Sequence, residues 1–358
     1  MDLSKLLPLE KWLQYQCINN NHQFPSSKSD YFTRYSAIKA YMVSDLYKWI
    51  GAGTSAEDQG VYTDHSEDHF NAVIRYASKL MSFNEHASAP ETQSLGLAPY
   101  EVYIMLVSIL LHDAGNIEGR KGHEKLPLKI FKDMGPAVCP DNFEGKKIAD
   151  IAMVHGGKVK IDDGELSKDT IGIQLKEERS SIGGIEFRPK LIAALVRFAD
   201  EICEDRSRAA RYLLRVDGLP KKSEVFHNYA ESISSVEVDI PSKSVHLKFE
   251  ISKSNILKLM GKDNGTTYDN VFLIDEINSR LEKMFCELVY CRTFMYELVD
   301  ITKVRATVNI FDDEDDHWPV IDNQVFELKQ QGYPPESFLF RDTHPEWNGE
   351  SVKNKHSE

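Results

Sequence analysis

Four histidines, His69, His112, His123 and His155, fall in one stretch of the chain, and His112 is followed at once by Asp113. A further carboxylate, Asp200, lies in the apolar run LIAALVRFAD. An isolated carboxylate in such a setting is costly to desolvate, so Asp113 and Asp200 call for a positive charge nearby. For either aspartate alone, an ion pair with Arg197 or Arg206 would serve. The histidines turn the weighing, because neutral imidazole combined with carboxylate is the usual donor set for divalent transition metals. A site with two or more imidazoles and two carboxylates leaves coordination positions open to a phosphate oxygen and a water, whose pKa the ion lowers towards neutrality. That is the chemistry of phosphoester or phosphoanhydride hydrolysis. Lys121, Lys125 and Arg206 are candidates to hold phosphate through charge-assisted hydrogen bonds. His65, just before His69, reads as a cap or hydrogen-bonding residue, and Glu67 and Asp68 as acids at a helix N-terminus.

These residues need helices to position them. From His69 onward Phe70, Val73, Ile74, Ala77, Leu80 and Met81 recur at three and four, which predicts one apolar face of a helix. YEVYIMLVSILL is apolar nearly all round and predicts a central buried helix, with His112-Asp113 at its end. Adjacent side chains diverge on a helix, but where the chain bends at a C-terminus both can reach one cation. A helical stretch near 124–134 follows, then a helix running to His155, where Gly156-Gly157 is a stop signal. Segment 158–187 is polar and contains glycine, as a mobile loop or lid would. The next predicted helix begins RPKLIAALVRFADEIC and carries Asp200 on the edge of its apolar stripe.

After Pro220 the pattern changes. Val236, Val238 and Ile240, then Val245, Leu247, Phe249 and Ile251, alternate with polar residues around PSKS and predict a β-hairpin. A long amphipathic helix (Phe272 to Leu288) and the strand VRATVNI complete a smaller unit. The expected fold is mainly α: a helical bundle over 1–215, an α+β unit over 216–310, and an acidic, polar tail over 311–358.

The 358 residues, 41% hydrophobic, are enough for real cores. A net charge of −13 argues against a broad surface for nucleic acid or anionic lipid. The N-terminus does not read as a secretion signal and no run is long and apolar enough to span a membrane. Cysteines 17, 139, 203, 286 and 291 form no CxxC pair, so free thiols in a reducing cytoplasm are expected.

The order of these motifs resembles the HD superfamily of metal-dependent phosphohydrolases, whose signature is H…HD…D across a helical bundle. His69 in TDHSEDHF matches the first histidine, His112-Asp113 in LLHDAGN the pair, and Asp200 in ALVRFADEICEDRSR the last aspartate. The last helix, followed by a hairpin, is also similar to HD hydrolases of bacterial defence systems. The resemblance spans roughly residues 60–250. It implies that His69, His112, Asp113 and Asp200 hold Mn²⁺, Mg²⁺ or a similar ion, as one ion or two. It also implies that His123 and His155 bind a second ion or face the phosphates and move protons, with Asp113 counted among the catalytic groups. Arg206 matches an arginine that follows the equivalent helix.

The substrate implied first is a (deoxy)nucleoside triphosphate. A cyclic nucleotide or oligonucleotide signal comes second, since His155 is followed by Gly156 and not by a second histidine. Asn116 stands where the triphosphohydrolase pattern has a histidine. A nucleotide-sensing regulatory module is the reading outside enzymes. A nucleotide activator, a protein partner in a defence system and a homo-oligomer are further expectations.

Overall fold

The structure is a computed structural model that describes residues 6–26, 30–49, 66–118, 126–161 and 164–330. His65, Lys121, His123 and Lys125 lie outside the described residues, so the expectations placed on them have no structural counterpart here. The elements up to Leu328 form one compact unit.

The bundle is built from α1 (Pro8–Asn19), α2 (Tyr31–Tyr41), α3 (Glu67–Leu80), α4 (Pro99–Leu111), α5 (Pro127–Asp133), α6 (Asn142–Met153), α7 (Thr170–Gln174) and α8 (Pro189–Glu201). Proline at the first position starts α4 and α8, where its missing N–H costs nothing. Glu101 closes the start of α4 by accepting from the Ala98 N–H at 2.9 Å. It also binds Arg188 at 2.7 Å, which ties the start of α8 to that of α4. Every residue of α4 is buried, as its unbroken apolar character requires, and α1, α2, α3, α6 and α8 pack around it.

Segment 158–187 is structured where described: β1 (Val159–Lys160) pairs with β2 (Leu166–Ser167), α7 follows, and β3 (Ser180–Ile182) pairs with β4 (Ile185–Phe187). The polar composition read as a loop belongs to two short hairpins. These turn at glycine, Gly183 and Gly184 both having positive φ.

Beyond α9 (Arg211–Arg215) and α10 (Glu224–Ser232), the predicted hairpin is present as β5 (Ile233–Asp239) and β6 (Ser244–Ser252), antiparallel with Val236 opposite Leu247. The short α11 (Lys253–Leu257) leads to a second hairpin, β7 (Leu259–Asp263) with β8 (Tyr268–Phe272), then α12 (Leu273–Met295) and β9 (Lys303–Phe311). β9 lies parallel to β6, with Val245 beside Val304 and Phe249 beside Val308. The connection through α12 is the long crossover that parallel neighbours need. Residues 320–329, expected within a tail, instead form β10 (Val320–Lys329), and the sheet order is β10-β9-β6-β5. The protein is thus mainly α with a smaller α+β part. α12 lies against both α8 of the bundle and α10, so the α+β part reaches the helix that carries Asp200. Among the described residues no helix is long and apolar enough to cross a membrane.

Candidate metal centre

Three helix ends converge on one point. His69 sits in the first turn of α3, whose start is capped by Ser66 accepting from the Asp68 N–H at 3.3 Å. His112 caps the C-terminus of α4, and the turn after it is tightened by Asn116 N–H donating to the Asp113 carbonyl at 3.0 Å. Asp200 lies one residue before the end of α8. His69 Nε2 is 3.2 Å from Asp200 Oδ1, and His112 Nε2 is 3.5 Å from the same oxygen. Among the described residues this trio is the group of donors close enough together to hold a metal ion. Asp113 extends it: Oδ2 is 3.6 Å from His112 Nε2 and Oδ1 is 3.4 Å from His155 Nε2. His155 follows α6, where Gly157 with φ 73° turns the chain away.

The donor chemistry fits a divalent ion. Ligands about 2.1 Å from one ion and at right angles to each other stand about 3 Å apart, close to these separations. The imidazoles are also presented the right way round. His112 Nδ1 lies 2.7 Å from the Ile109 carbonyl oxygen and His155 Nδ1 2.6 Å from that of Ala152. A carbonyl only accepts, so each Nδ1 carries the proton, and in the neutral ring Nε2 keeps its lone pair for the site. For His69 the neighbour of Nδ1 is the Cys203 sulfur at 3.7 Å. His69, His112, Asp113 and His155 are buried and Asp200 is half-buried, and Asp113, His155 and Asp200 border a cavity.

Burial disfavours a charged His112, but the Asp113 and Asp200 carboxylates outweigh it and raise its pKa from 6.5 to about 9. Burial likewise works against ionised Asp200, yet His112 and His69 hold its carboxyl well below the usual carboxylate range. The raised His112 pKa makes a contribution to metal-free stability that is complete below pH 6.5 and lost as the pH rises through about 9. A metal ion must displace the same proton. Apparent affinity for Mn²⁺ is therefore expected to rise about tenfold per pH unit up to pH 9, with about one proton released per ion near neutrality. Calorimetric titration in buffers of different ionisation heats measures that release, and binding with no proton released would contradict the assignment.

Beside the centre lies a cavity of about 560 Å³. Asp113, His155 and Asp200 line it, together with Lys168 and Arg208. Arg208 donates to the Cys203 carbonyl at 2.9 Å and stands 3.7 Å from Glu204. Arg206, the arginine expected to meet phosphate, does not line the cavity: its Nε donates to the Glu231 carbonyl at 3.0 Å and its Nη2 lies 3.5 Å from Glu250. The two arginines straddle Ser207 in a 3₁₀ turn, so a reading of the motif alone could not tell which faces inward. Phe226 on α10, Asp263 at the end of β7, and Arg280 and Lys283 on α12 line the cavity as well, and Arg280, like Arg208, stands 3.7 Å from the Glu204 carboxylate. Sequence reading missed these residues, because only the folded α+β part brings them to the bundle.

Residues 60–261, more than half of the chain, match the HD-CE family model, and this stretch contains His69, His112, Asp113, His155 and Asp200. No curated protein and no solved structure gives a significant match. With an HD-type arrangement in place and the family match covering it, the chain belongs to the HD-CE family.

Proposed function

We propose that this protein is a metal-dependent phosphohydrolase acting on a nucleotide. The observation that carries the reading is the convergence of His69 Nε2, His112 Nε2 and the Asp200 carboxylate at the edge of a cavity that also presents Arg208 and Lys168. His69, His112 and Asp200 would hold the ion, with Asp113 completing the set through His112. When bound, the ion polarises a phosphate oxygen and makes a water nucleophilic near neutral pH. The rest falls to the chain. Lys168 and Arg208 offer N–H donors to phosphate oxygens. His155, whose Nε2 faces Asp113, is positioned to take up at Nε2 the proton that the attacking water releases and to pass it to the leaving oxygen.

A (deoxy)nucleoside triphosphate is the first substrate in this reading, supported by the similarity of the Asp200 helix and the hairpin after it to HD hydrolases of bacterial defence systems. A role in antiviral defence, a nucleotide activator and assembly into a homo-oligomer belong to the same proposal. The test is to incubate the purified protein with Mn²⁺ and dNTPs, NTPs and cyclic dinucleotides, and to separate the products. Nucleoside plus triphosphate is the expected outcome, abolished by a chelator. Linear products from a cyclic dinucleotide would move the assignment to a phosphodiesterase. Nucleotide bound but unchanged would make the protein a sensor.

A further inference from the structure

Away from the metal centre, the α+β part leaves large apolar side chains open around α11, and we infer that a second copy of this chain covers them about a two-fold axis. The inference deepens the homo-oligomer proposed above by placing its interface, and it does not draw on the phosphohydrolase reading.

Tyr212 of α9, Leu257 of α11 and Trp318, in the turn before β10, are 68%, 69% and 59% exposed. Single exposed apolar residues are ordinary, but three this large on neighbouring elements are what the core of an interface needs. A groove of about 350 Å³ lies beside α11, lined in part by Leu213, Leu214, Leu219, Arg211, Arg215 and Lys258. Tyr212 stands between two of those lining residues in the chain. The turn at residues 312–316, five acids in a row, reaches the same helix. Asp313 accepts from the Ser254 N–H at 3.1 Å, and Glu314 from Lys253 Nζ at 2.7 Å. Lys253 and Leu257, like Ser254 and Lys258, are four residues apart, the spacing that places side chains on one side of a helix. The acidic turn, the exposed leucine and the groove therefore adjoin one another.

Their charges are complementary. From residue 211 to 222 four basic side chains stand against one acid, Asp217. Arg211 is paired with Glu231 at 3.0 Å and Lys258 with Glu224 at 2.8 Å, but Arg215 has no partner among the described residues, and neither has Asp316. A chain of net charge −13 repels its own copies except where opposite charges meet. Here the opposite charges are neighbours, so a two-fold axis near Leu257 carries each acidic turn onto the partner's groove and makes every contact twice. Asp316 then meets Arg215 of the partner subunit, and the Trp318 ring enters the groove among its leucines. Trp318 is held for this by a backbone in the left-handed region, φ 47°, with its N–H donating to the Asp315 carbonyl at 3.0 Å. An unrelated acidic protein would match only the groove, whereas a second copy matches groove and turn together.

Sedimentation velocity reads the assembly. The parent is expected to form a dimer at micromolar concentration that dissociates as salt is raised. Arg215→Glu and Asp316→Arg each set like charges together twice and are expected to weaken the dimer about tenfold or more. Trp318→Ala, which empties the groove, is expected to weaken it on the order of thirtyfold. An equimolar mixture of Arg215→Glu and Asp316→Arg restores both charge pairs across a mixed dimer, and is expected to recover parental association, which misfolded chains could not do. A parent that stays monomeric at about 0.1 mM overturns the inference and leaves the face to a different protein. A dimer that survives all three substitutions, or charge variants that fail to recover on mixing, overturns it too and puts any homo-oligomer on another surface. Hydrolysis of p-nitrophenyl phosphate with Mn²⁺ is followed in parallel. Its absence from an intact dimer strikes the phosphohydrolase reading and leaves the interface standing.

Discussion

Asp200→Asn is expected to abolish binding of Mn²⁺ at concentrations that saturate the parent protein, and to lower turnover by about a thousandfold or more. One carboxylate oxygen, Oδ1, stands within 3.2 Å of His69 Nε2 and 3.5 Å of His112 Nε2, so this side chain joins donors from α3 and α4 at the end of α8. Asparagine keeps the shape but removes the negative charge, leaving two imidazoles to hold a dication with one carboxylate fewer. An ion that stabilises developing charge is worth several kcal/mol in the transition state, and each factor of ten corresponds to about 1.4 kcal/mol. The variant should also lower the His112 pKa, since Asp200 is one of the two carboxylates raising it. Arg206→Ala is the matching control, expected to change turnover by no more than about twofold because its guanidinium is committed to Glu231 and Glu250 on the surface. Metal binding and turnover that survive in Asp200→Asn would remove the centre from the mechanism.

The trio behind this expectation was legible in the sequence because each member is tied to a helix end that the sequence marks. Ser66, Glu67 and Asp68 announce the start of α3, the apolar run of α4 stops at His112, and the apolar stripe of α8 carries Asp200 to its edge. The β5–β6 hairpin was legible for a similar reason, since alternation over Val236–Ile251 is a local property of a half-buried strand. Pairing between distant strands is not local. Nothing in VRATVNI says that it lies parallel to β6, and β10 was hidden by the polar residues interleaved in VIDNQVFELK, whose side chains are nearly all exposed. The cavity's α+β lining was invisible for the same reason, because Phe226, Asp263 and Arg280 come from separate elements that meet only in the folded chain.

That packing supplies the second large effect. Glu287→Gln is expected to destabilise the protein by about 3 kcal/mol or more, measured by urea unfolding of the metal-free chain. Arg197 on α8 is buried, and its guanidinium meets Glu287 of α12 in a two-pronged contact, Nε to Oε2 at 2.6 Å and Nη2 to Oε1 at 2.9 Å. Its remaining prong, Nη1, donates to Thr170 Oγ1 at 2.8 Å, and the guanidinium lies 4.6 Å from the centre of the Tyr290 ring. Glutamine has the same shape but strands a buried cation beside a neutral amide, and the desolvation of that charge is then uncompensated. Replacing both partners with apolar residues, as in Arg197→Met with Glu287→Leu, removes the stranded charge and is expected to recover most of the loss. The two results together separate a stability role from a catalytic one. Arg197 precedes Asp200 by one helical turn, so a double variant that folds but binds Mn²⁺ poorly would show that the clamp also aims the carboxylate. A double variant with parental affinity would show that α8 holds Asp200 in place without it. A loss below about 1 kcal/mol for Glu287→Gln would mean that water reaches the pair and that α8 and α12 are joined by their apolar faces alone.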